Sequence, residues 1–312
     1  IRNKEEIAVK EKKKKHNSGT SVNSKLLRKP IQRWFLLFLA PTFLAFCIGF
    51  IYPFLRGIYL SFCEFVTIGD ASFVGFRNYM DAFNDVSFIH AFWYTALYAI
   101  VSLFIINVLA FLIAYLLTLG IKGANLFRTA FFMPNLIGGI VLGYVWKFVF
   151  NRAFVSIGKA VSIGALSNSW LATPSGAMAC LIIVSVWQYA GYMMLIYVAG
   201  FMSVPKSLKE AAQIDGCTSF QATVNIIIPL MRASFVQCLF LTITRCFMVY
   251  NLSLTKGEPF NSSVMAAMHV YNQAFTYKNY GLGQAEALVL FIVCAIVGVT
   301  QVYIGKKGEV AA

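Results

Sequence analysis

Side chains able to do chemistry are sparse in this sequence, and most of them sit inside long apolar runs. Arg245, Tyr250 and Asn251 share one run and Gln188, Tyr189 and Tyr192 another. Asn135 and Trp146 lie in a third, where Asn135, Gly139, Leu142 and Trp146 recur at helical spacing, and Glu286 opens the last. A polar or charged group in apolar surroundings is costly unless something pairs with it, so each of these residues marks either a binding surface or an internal bond. The chemistry they suit is recognition rather than catalysis. The sequence holds no Gly-x-x-x-x-Gly-Lys-Ser/Thr loop to cradle phosphates, no nucleophile elbow and no HExxH pattern, so enzymatic chemistry in this chain is not expected. Seven cysteines are scattered without a CxxC pair, and His16, His90 and His269 stand far apart. Neither a metal-ligand set nor a disulfide framework is predicted.

A second group of residues lies in a polar gap between two apolar runs. Ser207 is placed to N-cap a short helix, with Glu210 three residues later able to reach back to it, and Gly216 stands where a left-handed C′ residue would end that helix. Thr218 with Gln221 offers a second cap, for a helix running toward Pro229. The gap therefore reads as helix, glycine turn, helix, with Asp215 just before the turn. On these residues alone it could equally be an ordinary loop helix.

The elements that must position both groups are membrane spans. The chain is 59% hydrophobic and 12% charged over 312 residues, against roughly 25% charged in average globular proteins. Apolar runs at 34–53, 90–118, 129–150, 176–202, 233–254 and 284–304 are each long enough to cross about 30 Å of hydrocarbon. The fold class is therefore all-α, a six-helix membrane domain over 34–305. A signal peptide is the rival reading of the first run, but its apolar core is too long and it lacks a small-residue cleavage site. Gly139 and Gly143 have the spacing that allows close helix contact in lipid, though glycines are common in any membrane helix.

Charge gives the orientation. The net charge of +14 is concentrated in the 1–33 tail, where Lys10, Lys12, Lys13, Lys14 and Lys15 precede the first run. No aromatic residue is interleaved there, so nucleic acid is not an expected partner, whereas anionic lipid is. With the N-terminus inside, the tail, the 119–128 turn, the 203–232 gap and the 306–312 end are cytoplasmic and hold most of the Lys and Arg.

The order Glu210-Ala211-Ala212, three residues, Gly216, nine residues, Ile226, one residue, Ile228-Pro229 resembles the EAA signature of membrane subunits of binding-protein-dependent ABC importers. Ile228 stands where that family usually has Leu. Other stretches are similar to the sugar-type branch: Arg56-Gly57-Ile58-Tyr59-Leu60-Ser61-Phe62, Val74-Gly75-Phe76-Arg77-Asn78-Tyr79, Phe127-Arg128-Thr129-Ala130-Phe131-Phe132-Met133-Pro134 and Leu254-Thr255-Lys256-Gly257-Glu258-Pro259. In the last of these Glu258 replaces a glycine of the family pattern. The resemblance covers about 34–305.

The resemblance implies a type I ABC importer transmembrane domain. The 203–232 loop would be a coupling helix docking into a separate ATPase subunit through Ser207, Glu210, Ala211, Ala212, Asp215, Gly216 and Pro229, with the small Ala211 and Ala212 admitting the partner closely. Expected partners are a homologous second permease subunit, two ATPase subunits, an extracellular solute-binding protein and a carbohydrate, with an oligosaccharide implied by the branch. ATP and magnesium would be held by the ATPase, and this chain would carry no cofactor. The expected location is the bacterial cytoplasmic membrane, with both termini cytoplasmic.

Sugars present hydroxyls on their edges and apolar C–H faces, so Asn135, Trp146, Gln188, Tyr189, Tyr192, Arg245, Asn251 and Glu286 are the candidate path lining. Each has a structural reading beside it. Trp146 and Tyr250 suit an interfacial belt, and Gln188 suits a helix-to-helix bond. Arg245 either faces a watery path or pairs with a carboxylate such as Glu286. The alternative function is a secondary transporter or channel working without an ATPase, for which these spans hold few paired ionisable groups.

Overall fold

A computed structural model describes residue 37 and residues 39–162, 164, 167–248 and 262–307. The basic tail, Tyr250, Asn251 and the Leu254–Pro259 stretch lie outside the described residues. Among those described, five helices are long and apolar enough to cross a membrane, and a sharply bent pair makes a sixth.

The first helix, α1 (Leu39–Leu60), makes up the described part of the first of two compact units, which ends at Tyr59. It runs past Pro53, where the sequence suggested its end. A π-helical turn, Cys47–Ile51, explains how: Tyr52 N–H bonds five residues back to Cys47, immediately before the proline that has no N–H to donate.

The second unit begins with a small hairpin, β1 (Cys63–Glu64) against β2 (Ser72–Phe73), then α2 (Arg77–Asn84). Asn78 fastens the hairpin with two bonds from its amide, to Ser61 O and Cys63 O at 2.9 Å each. Asp85 caps α3 (Val86–Thr118), accepting Ser87 N–H at 2.8 Å. A left-handed Gly123 then leads into α4 (Ala124–Phe132).

The predicted 129–150 span is interrupted. α4 passes into a 3-10 turn, Met133–Leu136, the chain extends at Ile137 and Gly138, and α5 (Gly139–Ala160) starts afresh. Pro134, with two glycines just beyond it, is the cause. Asn135 therefore does not share a helical face with Gly139, Leu142 and Trp146. The polar connection expected from 151 is helical to Ala160. Gly143 is buried, whereas a Cβ at Gly139 would meet nothing within 4 Å.

Thr173 caps α6 (Pro174–Ser203), with proline at its first position. Then come α7 (Lys206–Ile214), α8 (Ser219–Leu230), α9 (Arg232–Phe247), α10 (Ala266–Tyr271) and α11 (Tyr280–Lys306). Within the second unit the spans pack around α3 and α6, which are apolar on every side. Small residues line α3 where it is buried: Ala91, Ala99, Ala110 and Ala114 are at most 1% exposed. In lipid this close approach, rather than the hydrophobic effect, holds helices together.

Two apolar clusters follow one another along the pair. One gathers Tyr98, Leu181, Val184, Phe247 and Leu290, and the other Ile106, Met193, Tyr197, Phe201 and Ile227. Several polar side chains between the helices are paired: Tyr197 donates to Asn107 Oδ1 at 2.9 Å, Asn107 donates to Thr242 at 3.2 Å, and Tyr98 bonds Ser185. Four of the cysteines, Cys63, Cys180, Cys238 and Cys246, are buried as small apolar residues.

The tightest backbone approach is at Gly191 of α6, where a Cβ would stand 1.7 Å from Phe131 O of α4. Gly191→Ala must push α4 away and is expected to cost about 1–3 kcal/mol. It would lower the unfolding temperature of the detergent-solubilised chain, and an unchanged midpoint would refute this packing.

Candidate functional site

The 203–232 segment folds as two short helices joined by a glycine turn. Gly216 has φ +78°, its N–H bonds Gln213 O at 3.1 Å, and Cys217 N–H bonds Ala212 O at 2.9 Å. These are the two bonds of a Schellman motif, and they need a residue free to adopt the left-handed conformation. Thr218 and Gln221 form a reciprocal capping box at the start of α8. Ser207 does not cap α7. The N-cap is Pro205, with no side-chain cap bond, so Ser207 and Glu210 make no box. Val204 is buried and extended, and the ring of Pro205 sets the entry angle before Ser207 is reached. Lys209 Nζ instead ties α7 to Phe201 O at the end of α6, at 3.2 Å.

Along this segment Glu210, Ala211, Asp215, Gly216 and Pro229 are exposed, whereas Ala212 is buried against its own chain. Of the two alanines, only Ala211 could admit a partner. The sequence reading missed the apolar residues that protrude here: Ile214 is 86% exposed and Phe220 75%. Two large hydrophobes flanking a predicted turn were the available signal. Beyond them another π turn, Thr223–Ile227, precedes Pro229, and the chain bends by 71° between α8 and α9. The device is the one used before Pro53 in α1, with Ile228 N–H reaching back to Thr223 O.

A separate cluster forms around Arg245, near the end of α9. Its guanidinium donates to Asn135 Oδ1 at 3.0 Å and lies over the rings of Tyr189 and Tyr192, 5.1 and 4.9 Å from their centroids. The broken α4–α5 segment delivers Asn135, and α6 delivers both tyrosines. Gln188, one residue from Tyr189, donates to Ile137 O at 3.2 Å and so holds the extended residues of the break in place. Gln188 thus ties α6 to the break between α4 and α5 and not to another helix. Trp146 packs with Trp187 and Phe150 in an aromatic cluster. The partners of Arg245 are neutral, and among the described residues no carboxylate pairs with it. A cation held by an amide and two ring faces keeps donors available for a ligand with hydroxyl or anionic oxygens.

Glu286 is elsewhere. Its side chain is wholly buried in α11, with Oε1 3.4 Å from His269 Nε2, and Asp85 Oδ2 is also 3.4 Å from that nitrogen. Burial works against a charge on His269, but Glu286 and Asp85 outweigh it and hold the imidazole above its usual value. This trio, from three distant segments, carried no local sequence pattern.

A family model described as "Binding-protein-dependent transport system inner membrane component" matches residues 106–307. The chain is 40% identical to the "Probable starch degradation products transport system permease protein AmyD" of Thermoanaerobacterium thermosulfurigenes, over 89% of this chain and 95% of that one. It is 32% identical to the "Multiple sugar-binding transport system permease protein MsmF" of Streptococcus mutans, over 91% and 99%. It is also 29% identical to the "Arabinooligosaccharides transport system permease protein AraP" of Bacillus subtilis, over 88% and 89%. The fold is similar to that of a chain in the crystal structure of "a bacterial ABC transporter involved in the import of the acidic polysaccharide alginate", with a TM-score of 0.75 at 20% identity over 90% and 98% of the two chains.

Proposed function

The chain belongs to the family of binding-protein-dependent transport system inner membrane components, and from that premise we infer that it is the permease subunit of an ATP-driven importer of oligosaccharides. The relatives' names attach them to starch degradation products, multiple sugars and arabinooligosaccharides, which supports that substrate class. A homologous second permease completes the path, an extracellular binding protein delivers the sugar, and two ATPase copies hold ATP and magnesium. Both termini and the 203–232 segment face the cytoplasm, in keeping with the distribution of Lys and Arg.

The observation that carries the reading is the protruding pair α7–α8. It is braced at one end by Lys209, locked at the turn by Gly216, and presents Ile214 and Phe220 to the surroundings. A rigid hairpin with bare apolar residues is suited to sit in a cleft of another subunit and transmit its movement. ATP binding would close the ATPase dimer and shift this hairpin, which joins α9 through the bend at Met231.

The test is co-purification of the ATPase with this chain. Ile214→Glu with Phe220→Glu is expected to abolish the association, while the chain still inserts into membranes. ATPase that stays bound to the double variant would remove the docking role. Uptake that proceeds with no ATPase present would favour a secondary transporter.

A further inference from the structure

Asp85, His269 and Glu286 meet at the end of the α3–α6 pair remote from the α7–α8 hairpin. Asp85 is the N-cap of α3, His269 lies on α10 and Glu286 on α11. One atom from each, Asp85 carboxylate O, His269 ring N and Glu286 carboxylate O, falls within 4.8 Å of the others. The spacing is long for charge-assisted hydrogen bonds, which run at about 2.7–2.9 Å. Both carboxylates stand 3.4 Å from the same Nε2, which can carry at most one proton and so cannot serve both. Glu286 is 0% exposed, and among the described residues neither of its oxygens has a hydrogen-bond partner. A buried carboxylate left in that state is costly, and it points directly at the other two groups.

We propose that these three residues form a binding site for a divalent first-row metal ion, with the side-chain amide of Gln273 as a fourth ligand. Ligands about 2.1 Å from a tetrahedral zinc stand about 3.4 Å from one another. The two separations from His269 match that edge, and the two carboxylates lie within 4.8 Å of each other. Gln273 adds two more, since its amide nitrogen is 3.4 Å from both Asp85 Oδ2 and His269 Nε2. The O and N ends of an amide are assigned from the surrounding bonds, and turning this one over aims its carbonyl oxygen at the same centre, at the loss of the 3.4 Å bond that Oε1 accepts from Asn279 Nδ2 unless that amide turns with it.

The donor set of two carboxylates, an imidazole and a carboxamide selects zinc or manganese over magnesium or calcium, which favour oxygen alone. A dipositive ion also cancels the two carboxylate charges. An entry route exists, because Asp85, His269 and Gln273 line a cavity of 450 Å³ that His90 and Tyr277 also border. Such an ion would bind the start of α3 to α10 and α11 where no covalent link does so.

The test uses the full chain in detergent with its co-purifying subunits, stripped by a chelator and titrated with zinc against a chromophoric competitor. One zinc per chain is expected, with affinity falling at least tenfold in His269→Asn and Glu286→Gln. Asp85→Asn keeps the Ser87 cap, because asparagine caps as well as aspartate, and it too should bind at least tenfold more weakly. Should Glu286→Gln not fold, Asp85→Asn decides. Zinc should raise the unfolding temperature of the native chain and leave that of His269→Asn unchanged. Absence of stoichiometric zinc, or equal binding by native, His269→Asn and Asp85→Asn chains, overturns the site and leaves a protonated imidazole between two carboxylates.

Discussion

Uptake by cells whose only copy carries Gly216→Pro falls to background, with the chain present in the membrane at its ordinary level. The cause is backbone geometry and not packing, since a Cβ at Gly216 would meet nothing within 4 Å. The native φ is +78°, and proline is held near about −65°. Proline also lacks the N–H that bonds Gln213 O, and the changed direction breaks the neighbouring bond from Cys217 to Ala212. Without these bonds α7 and α8 lose their fixed angle, and Ile214 and Phe220 no longer present a single surface.

Gly216→Ala separates the two causes. It keeps the N–H and adds only the left-handed strain, roughly 1–2 kcal/mol, so uptake should be reduced but not lost. Glu210→Lys reverses an exposed charge on the same hairpin and should also abolish uptake without affecting insertion. Normal uptake in both Gly216→Pro and Glu210→Lys would end the idea that this hairpin transmits force.

What could be read from the sequence divides by range. Gly216 and the Thr218–Gln221 box are local devices, whose residue types and spacing suffice. The spans follow from run length, because hydrocarbon thickness fixes how many residues are needed. Ser207 failed as a cap because the residues before it, Val204 and Pro205, had already set the helix start. The broken third span failed because Pro134, tolerable in many membrane helices, here stands just before two glycines and is stabilised by Gln188 reaching Ile137 O from another helix. The Arg245 cluster was legible as a set of residues but not as a set of partners. The sequence left Arg245 either facing a watery path or pairing with a carboxylate such as Glu286, and only tertiary packing places Asn135 beside it. The Asp85–His269–Glu286 trio, assembled from three distant segments, left no periodic or local signature at all.

Arg245→Ala should lower uptake by tenfold or more while the solubilised complex elutes as it does with the native chain. The guanidinium replaces its lost hydration with one amide oxygen and two tyrosine faces. A bond from a charged donor is worth about 1.5–3 kcal/mol, and each 1.4 kcal/mol is about a factor of ten. If a sugar hydroxyl takes one of the remaining donors, removal of the arginine costs at least that factor in transport. Arg245→Lys retains the charge but not the planar fork that lies over Tyr189 and Tyr192, so an intermediate loss is expected. Asn135→Asp would turn a neutral partner into an ion pair and draw the guanidinium away from a ligand. It should impair uptake although it strengthens the internal contact. That opposition distinguishes a path residue from a structural one: were Arg245 there to hold helices together, Asn135→Asp would stabilise the complex at no cost to transport, and Arg245→Ala would take the complex apart.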